Sequence, residues 1–264
     1  MIKKVMAGAL ACGLAVTLGS SNGFAADYQG AAVSGGGSIS GVVKYAGAPK
    51  DIKINLKNEK NAEFCSKHPE AKAGERVDHK ILAAGGNLQN AIVFINGIEK
   101  GKEWKKSLTK FDFKDCDVSP KVAAVRKSAK GEKEGNTAIE NHDTDILHNP
   151  HGYSAVGASR ATLFNKPLPS KGSIAEVTSS MNRFKEGKDV HFFLQCDQHN
   201  FMEADARIVY NPYYALTGAD GAFKLDEIPA GKYKVVAWHP YAGTATSEIT
   251  VAGGADAKAN FDLK

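Results

Sequence analysis

The sequence has little cysteine, four residues in 264, and little tryptophan, two. Four cysteines are too few for a scaffold built on dense disulfides. Beyond the first 25 residues there is no apolar run approaching the roughly 18 side chains that a membrane-spanning helix needs. The same stretch has no C-x-x-C-H, which excludes covalently attached haem. It also has no G-x-S-x-G, H-E-x-x-H or glycine-rich phosphate loop. A surplus of one charge is missing too. The formal net charge of +5 is spread along the chain and gives no basic stripe for nucleic acid. Sustained 3.6-residue periodicity is absent, and Lys57 to His68 is the one modest helix candidate.

What is present begins with residues 1–25, MIKKVMAGALACGLAVTLGSSNGFA. Lys3 and Lys4 precede an uncharged apolar stretch from Val5 to Leu18, and Gly23 and Ala25 suit small-residue cleavage positions. This is the pattern of a cleaved signal peptide, so export to the periplasm or the cell exterior is expected. A second reading takes Leu10-Ala11-Cys12 as a lipoprotein acylation site, which leaves an apolar region of only about seven residues. Cleavage removes two lysines and no acids, so the charge falls to +3. Cys65, Cys116 and Cys196 remain, an odd number for a compartment that oxidises thiols.

Residues 26–36 are Gly-rich and read as a flexible linker. From Ile39 onward the chain breaks into short runs rich in Val, Ile, Phe and Tyr, bounded by Gly, Asn, Asp and Pro. Candidate strands cover 39–45, 90–95, 122–126, 138–141, 190–195, 206–209, 222–225, 232–238 and 248–251. The fold class is therefore all-β, and about 239 residues suit two sandwich-like units. Asn96-Gly97 and Asp220-Gly221 are hairpin signals, because both central residues of a type I′ turn need positive φ. The charged stretch 129–135 reads as a solvated hairpin tip.

The chemistry gathers in Cys196-Asp197-Gln198-His199-Asn200-Phe201-Met202, which follows an apolar strand. Thiolate, imidazole and thioether on one loop suit copper better than calcium or magnesium. A blue-copper plane needs a second histidine. His148, followed by Asn149, is the best candidate, with His151 and His142 as runners-up. His68, His79, His191 and His239 read as structural or surface residues, and Trp104 and Trp238 as rim-of-core aromatics or a partner surface.

Segment 106–210 resembles a cupredoxin, the plastocyanin and azurin family. By that resemblance the fold is a Greek-key β-sandwich, one copper ion is held by His148, Cys196, His199 and Met202, and Asn149 supports the ligand loops. The phrases Phe164-Asn165-Lys166-Pro167-Leu168-Pro169 and Ala206 to Thr217 are similar to exported cupredoxin-like proteins linked with methylamine utilisation. One departure stands out. The C-x2-H-x2-M spacing is tighter than a plastocyanin-type loop and nearer the copper-A site of oxidases, whose second Cys this chain lacks. Met202 is either a ligand or sits apart, in which case a Cys-His-His site would still bind copper with an altered potential.

Tyr213 to Pro240 resembles a carboxypeptidase-regulatory-like, transthyretin-type β-domain, carried by Thr217, Asp220-Gly221, Phe223, Leu225, Ile228-Pro229, Gly231, Tyr233 and Val235. The expected division is 37–105 as an N-terminal β segment, 106–210 as the copper domain and 211–264 as the second β-domain. The copper domain is either inserted into that second sandwich, or 37–105 adds strands to the cupredoxin. With Cys196 given to the metal, Cys65 and Cys116 are left to form a disulfide. The resemblance implies single-electron transfer between redox proteins, with the edge of His199 exposed as the exit. The alternatives are a copper carrier or buffer, and a cell-envelope module with a vestigial site. An enzyme is not expected.

Overall fold

The computed structural model describes residues 28–186 and 191–264. The signal segment, with Cys12, lies outside the described residues, as does Val190 of the expected 190–195 strand. The described chain is almost entirely β and forms two sandwiches.

Alternating polarity decides which faces turn inward. In Thr109–Lys114 the rings of Phe111 and Phe113 are buried while Lys110 and Lys114 face out. This strand belongs to a four-stranded sheet ordered Asp117–Ser119, Thr109–Lys114, Thr137–Asn141, Ile174–Glu176. A five-stranded sheet, ordered Val122–Arg126, His199–Val209, His191–Cys196, Pro150–Val156, Ser159–Asn165, closes the same sandwich. Both sheets are mixed, with one parallel pair each. Phe111, Phe113 and Ile139 from the first sheet share one core with Val125, Phe192, Leu194 and Ile208 from the second.

The other sandwich takes strands from both ends of the chain. Its first sheet is ordered Tyr214–Leu216, Ile92–Asn96, Gly231–His239, Gly243–Val251. Its second is built around Gly37–Tyr45, which pairs with Ala222–Ile228, Asn87–Leu88, Asp256–Lys258 and Phe261–Leu263. Residues before 102 and after 213 therefore hydrogen-bond to one another, with the first sandwich between them in sequence. The two bodies meet at a small apolar cluster: Ile92, Phe94, Val236 and Trp238 against Val122, Ala124 and Val209. Trp238 is thus buried between sandwiches, and Trp104 packs at the edge of the same cluster.

One excursion leaves the second sandwich and roofs the first. The hairpin Asp51–Asn55 with Glu75–His79 carries a single 3-10 turn, Leu56–Asn58, and a four-residue helix, Ala62–Cys65. Ile54, Leu56 and Cys65 enter the core of the first sandwich. The helix expected over 57–68 is therefore cut to these fragments, because Asn61 adopts a left-handed conformation at φ 55° that a helix cannot continue through.

The expected hairpins also change. Gly97 and Gly221 take positive φ, at 74° and 69°, but Asn96 and Asp220 do not, so neither turn is type I′. Each carries the chain from one sheet to another, as does the stretch 129–135. The Gly-rich lead-in is strapped down from Tyr28 onward. Gln29–Gly30 pairs with Lys100–Gly101, and the Tyr28 ring stands edge-on to Trp104 and Tyr213.

Candidate metal centre

The strand His191–Cys196 turns through Asp197 and Gln198 into His199–Val209. Pairing is regular up to Gln195 opposite Glu203, then jumps to Cys196 opposite His199. Asn200, Phe201 and Met202 form the bulge between, and a bulge re-aims side chains. Residues three apart on a regular strand point to opposite faces. Here His199 and Met202 are both fully buried. The amide of Gln195 fastens the bulge by donating to Asn200 O and Glu203 Oε1, both at 2.9 Å.

His148 arrives from the other side. Pro150 pairs with Cys196, and His148 exchanges two backbone hydrogen bonds with Leu168, at 3.1 and 2.8 Å. The result is a buried cluster of three donors. Cys196 Sγ lies 3.6 Å from His148 Nδ1 and 3.8 Å from His199 Nδ1, and all three residues have zero exposure. The imidazole centroids are 5.0 Å apart.

The far side of each ring is already engaged. His148 Nε2 meets Asp143 Oδ2 at 2.9 Å, and His199 Nε2 meets Asn61 Oδ1 at 3.1 Å. Both partners accept, so each imidazole carries its proton on Nε2 and turns the Nδ1 lone pair toward Cys196. A partner on the distal nitrogen is how metal-binding histidines are held in one tautomer.

Charge at the cluster follows from these contacts. Burial opposes ionisation of the Cys196 thiol, but His148 and His199, in the state where Nδ1 also carries a proton, and the Asn149 N–H at 3.4 Å outweigh it and bring the group down to about 6. Burial also resists protonation of His148, yet Asp143 and Cys196 raise it above the ordinary imidazole value. Burial works against the Asp143 carboxylate too, and His148 with the N–H groups of Cys116 and Asp115 lowers it below its ordinary value. A thiolate is the form that binds metal.

The spacing suits a metal ion. An ion about 2.0 Å from imidazole nitrogen and about 2.3 Å from thiolate sulfur, at angles of roughly 110–120°, sets N···S at about 3.5–3.7 Å. The observed 3.6 and 3.8 Å need almost no rearrangement. Two histidines and one cysteine form the trigonal set of a blue-copper site.

Each expected site residue has a clear place. Met202 is buried in the same core cluster as Cys196. The Asn149 side chain donates to Asp197 Oδ2 at 3.1 Å, and Asp197 N–H donates to Asn149 O at 3.0 Å, which ties the two ligand loops together. His151 lies outside the cluster, where it contacts Asp197 and Thr162. His142 faces Asp112 and Glu140, beside Lys110, on the outer sheet surface. Cys65 and Cys116 are joined as a disulfide with Cα atoms 5.2 Å apart, and Cys196 is the free cysteine among the described residues.

One expectation is overturned. His199 has no exposed edge, because the 51–79 excursion covers it and Asn61 occupies its distal nitrogen. Asn61 is itself exposed, so it stands between His199 and solvent. Sequence reasoning missed both Asn61 and Asp143. Asp143 is five residues before His148, a signal within reach, whereas Asn61 lies 138 positions from its partner.

No family model matches the chain, and no curated protein sequence shows significant similarity to it. A solved structure similar to it is the Cu-containing nitrite reductase (NirK) from Thermus scotoductus SA-01. Identity is 13%, the match covers 41% of this chain and 24% of that chain, and the TM-score is 0.27. The chain spans about a quarter of the nitrite reductase chain.

Proposed function

We propose that this chain is an exported mononuclear copper protein that passes single electrons between larger redox proteins. His148, Cys196 and His199 would hold the ion, and the Met202 thioether, buried in the same core, would be a further weak donor. The observation that carries the reading is the convergence of two Nδ1 lone pairs on one free, buried thiol, each imidazole locked from behind. Copper supplies one-electron chemistry between Cu(I) and Cu(II).

The protein's own residues do the rest. The bulged hairpin and the Asn149–Asp197 clasp fix the ligand loops, which keeps donor positions alike in both oxidation states. The buried cluster excludes water, so little solvent must reorganise. Exposed Asn61, one hydrogen bond from His199, is the shortest route to a partner on that side. The Cys65–Cys116 disulfide supports residence in the periplasm or outside the cell, where disulfides persist.

Burial favours electron transfer over delivery of the ion, because release would require lifting the roof from His199. It also favours an electron carrier over an enzyme, since the donors leave no face for a substrate. Voltammetry of the copper-loaded chain tests this. A fast, reversible one-electron couple is expected. Rapid handover of Cu(I) to an acceptor, with no reversible couple, would instead establish a carrier.

A further inference from the structure

We infer that the Cys65–Cys116 disulfide closes an arch that orients both imidazoles of the metal centre, making Asn61, Cys65, Cys116 and Asp143 positioning residues. The inference rests on the copper reading but concerns residues that reading does not require.

The arch can be followed atom by atom. From His199 Nε2 it passes to Asn61 Oδ1 at 3.1 Å. The carbonyl of Asn61 accepts the backbone N–H of Cys65 at 2.9 Å, so the amide and the cysteine move together. Cys65 is bonded to Cys116 across a sequence separation of 51. The backbone N–H of Cys116 donates to Asp143 Oδ2 at 2.9 Å, and that of Asp115 donates to Oδ1 at 2.5 Å. Asp143 Oδ2 meets His148 Nε2 at 2.9 Å. The path thus joins one imidazole to the other without crossing the space between their Nδ1 atoms.

Two features show that this is more than a staple. The sulfurs of Cys65 and Cys116 lie within 4.8 Å of each other and of a ring nitrogen of His199, so the disulfide packs directly on a ligand. Asn61, Asp115 and Cys116 all take left-handed backbone at φ 55°, a conformation that few non-glycine residues adopt. These are the residues whose polar groups reach Asn61's ring partner and the Asp143 carboxylate.

The disulfide also decides where the roof sits. Cys65 belongs to the 51–79 excursion and Cys116 to the sandwich holding the donors. Without the bond, Arg76–Asp117 and the buried Ile54 and Leu56 still dock the roof. The register of Asn61 over His199 loses its covalent reference.

The full chain carrying Cys65→Ala with Cys116→Ala tests the arch, beside Asn61→Gly and Asn61→Asp. Asn61→Gly keeps the left-handed backbone and removes the acceptor; Asn61→Asp keeps both. Imidazole ¹⁵N spectra of the metal-free protein should show His148 and His199 as single Nε2–H tautomers in the unaltered chain. In the disulfide-free and Asn61→Gly chains His199 should become a tautomer mixture, and Asn61→Asp should restore it. With Cu(II), the first two variants should bind roughly 10- to 100-fold more weakly and shift the visible band. Unchanged tautomers and an unchanged band in both would overturn the arch. Should the disulfide-free chain fail to fold, the Asn61→Gly and Asn61→Asp pair decides alone. An unaltered chain that takes up no copper, while the variants still show the tautomer changes, sinks the copper reading and leaves the arch standing.

Discussion

Asp143 Oδ2 stands 2.9 Å from His148 Nε2 with both side chains buried, and the same oxygen accepts the Cys116 N–H. The carboxylate therefore sets the tautomer that turns His148 Nδ1 toward Cys196. Asp143→Asn keeps the shape but offers an amide N–H where acceptors are needed. Copper affinity should fall about 10- to 100-fold, measured by competition with a chelator. Unchanged affinity would mean that Asp143 serves the fold alone.

Met202 is fully buried, so Met202→Leu preserves volume and should cost under about 1.5 kcal/mol. The Cys196 thiolate band should survive. Loss of a weak donor removes more support from Cu(II) than from Cu(I), so the midpoint potential should rise. A potential identical to wild type would take Met202 out of the ligand set.

Trp238 packs at the seam between the sandwiches against Val122, Ala124 and Val209. Trp238→Ala leaves a large cavity and should destabilise the chain by about 3–5 kcal/mol in urea unfolding. The copper band should keep its position, because the seam is separate from the donor cluster. A loss under about 1 kcal/mol would show that the seam contributes little.

His239 is buried, and burial brings its pKa down to about 4. Nearby Asp205 works the other way without prevailing. Above about pH 6.5 the group is neutral whether the chain is folded or not. Between there and about pH 4 only the unfolded chain takes up the proton, so stability falls as pH drops, by about 3 kcal/mol in all. His239→Gln keeps an acceptor for the Tyr241 N–H and should flatten that part of the stability–pH curve. Parallel curves for the two proteins would reject this assignment.

Local patterns in the sequence explain much of this architecture. Alternation in Ala222 to Leu225 and Lys232 to Val235 is visible residue by residue, whereas the equally alternating Thr109–Lys114 fell outside the expected strands, and the expected ligand loop is a bulged hairpin with Cys196 and His199 on its two strands. Much of what sequence reasoning did not reach depends on distant pairing. The Asn200–Met202 bulge is a mismatch of register between two strands, and neither strand shows it alone. The partner of His199 comes from a roof 138 residues upstream, on a stretch whose weak helical pattern gives way to a left-handed Asn61. Glycine-containing pairs marked turns correctly, but a turn between sheets and a hairpin share the same local signal.

Cys196 as a copper-held thiolate between two Nδ1 donors has a distinct optical signature. It is read by titrating the oxidised, disulfide-intact chain with Cu(II) in the visible region. One equivalent of copper should raise an intense thiolate-to-copper charge-transfer band that Cys196→Ala abolishes. No band at stoichiometric copper, or a band that survives Cys196→Ala, would contradict the account.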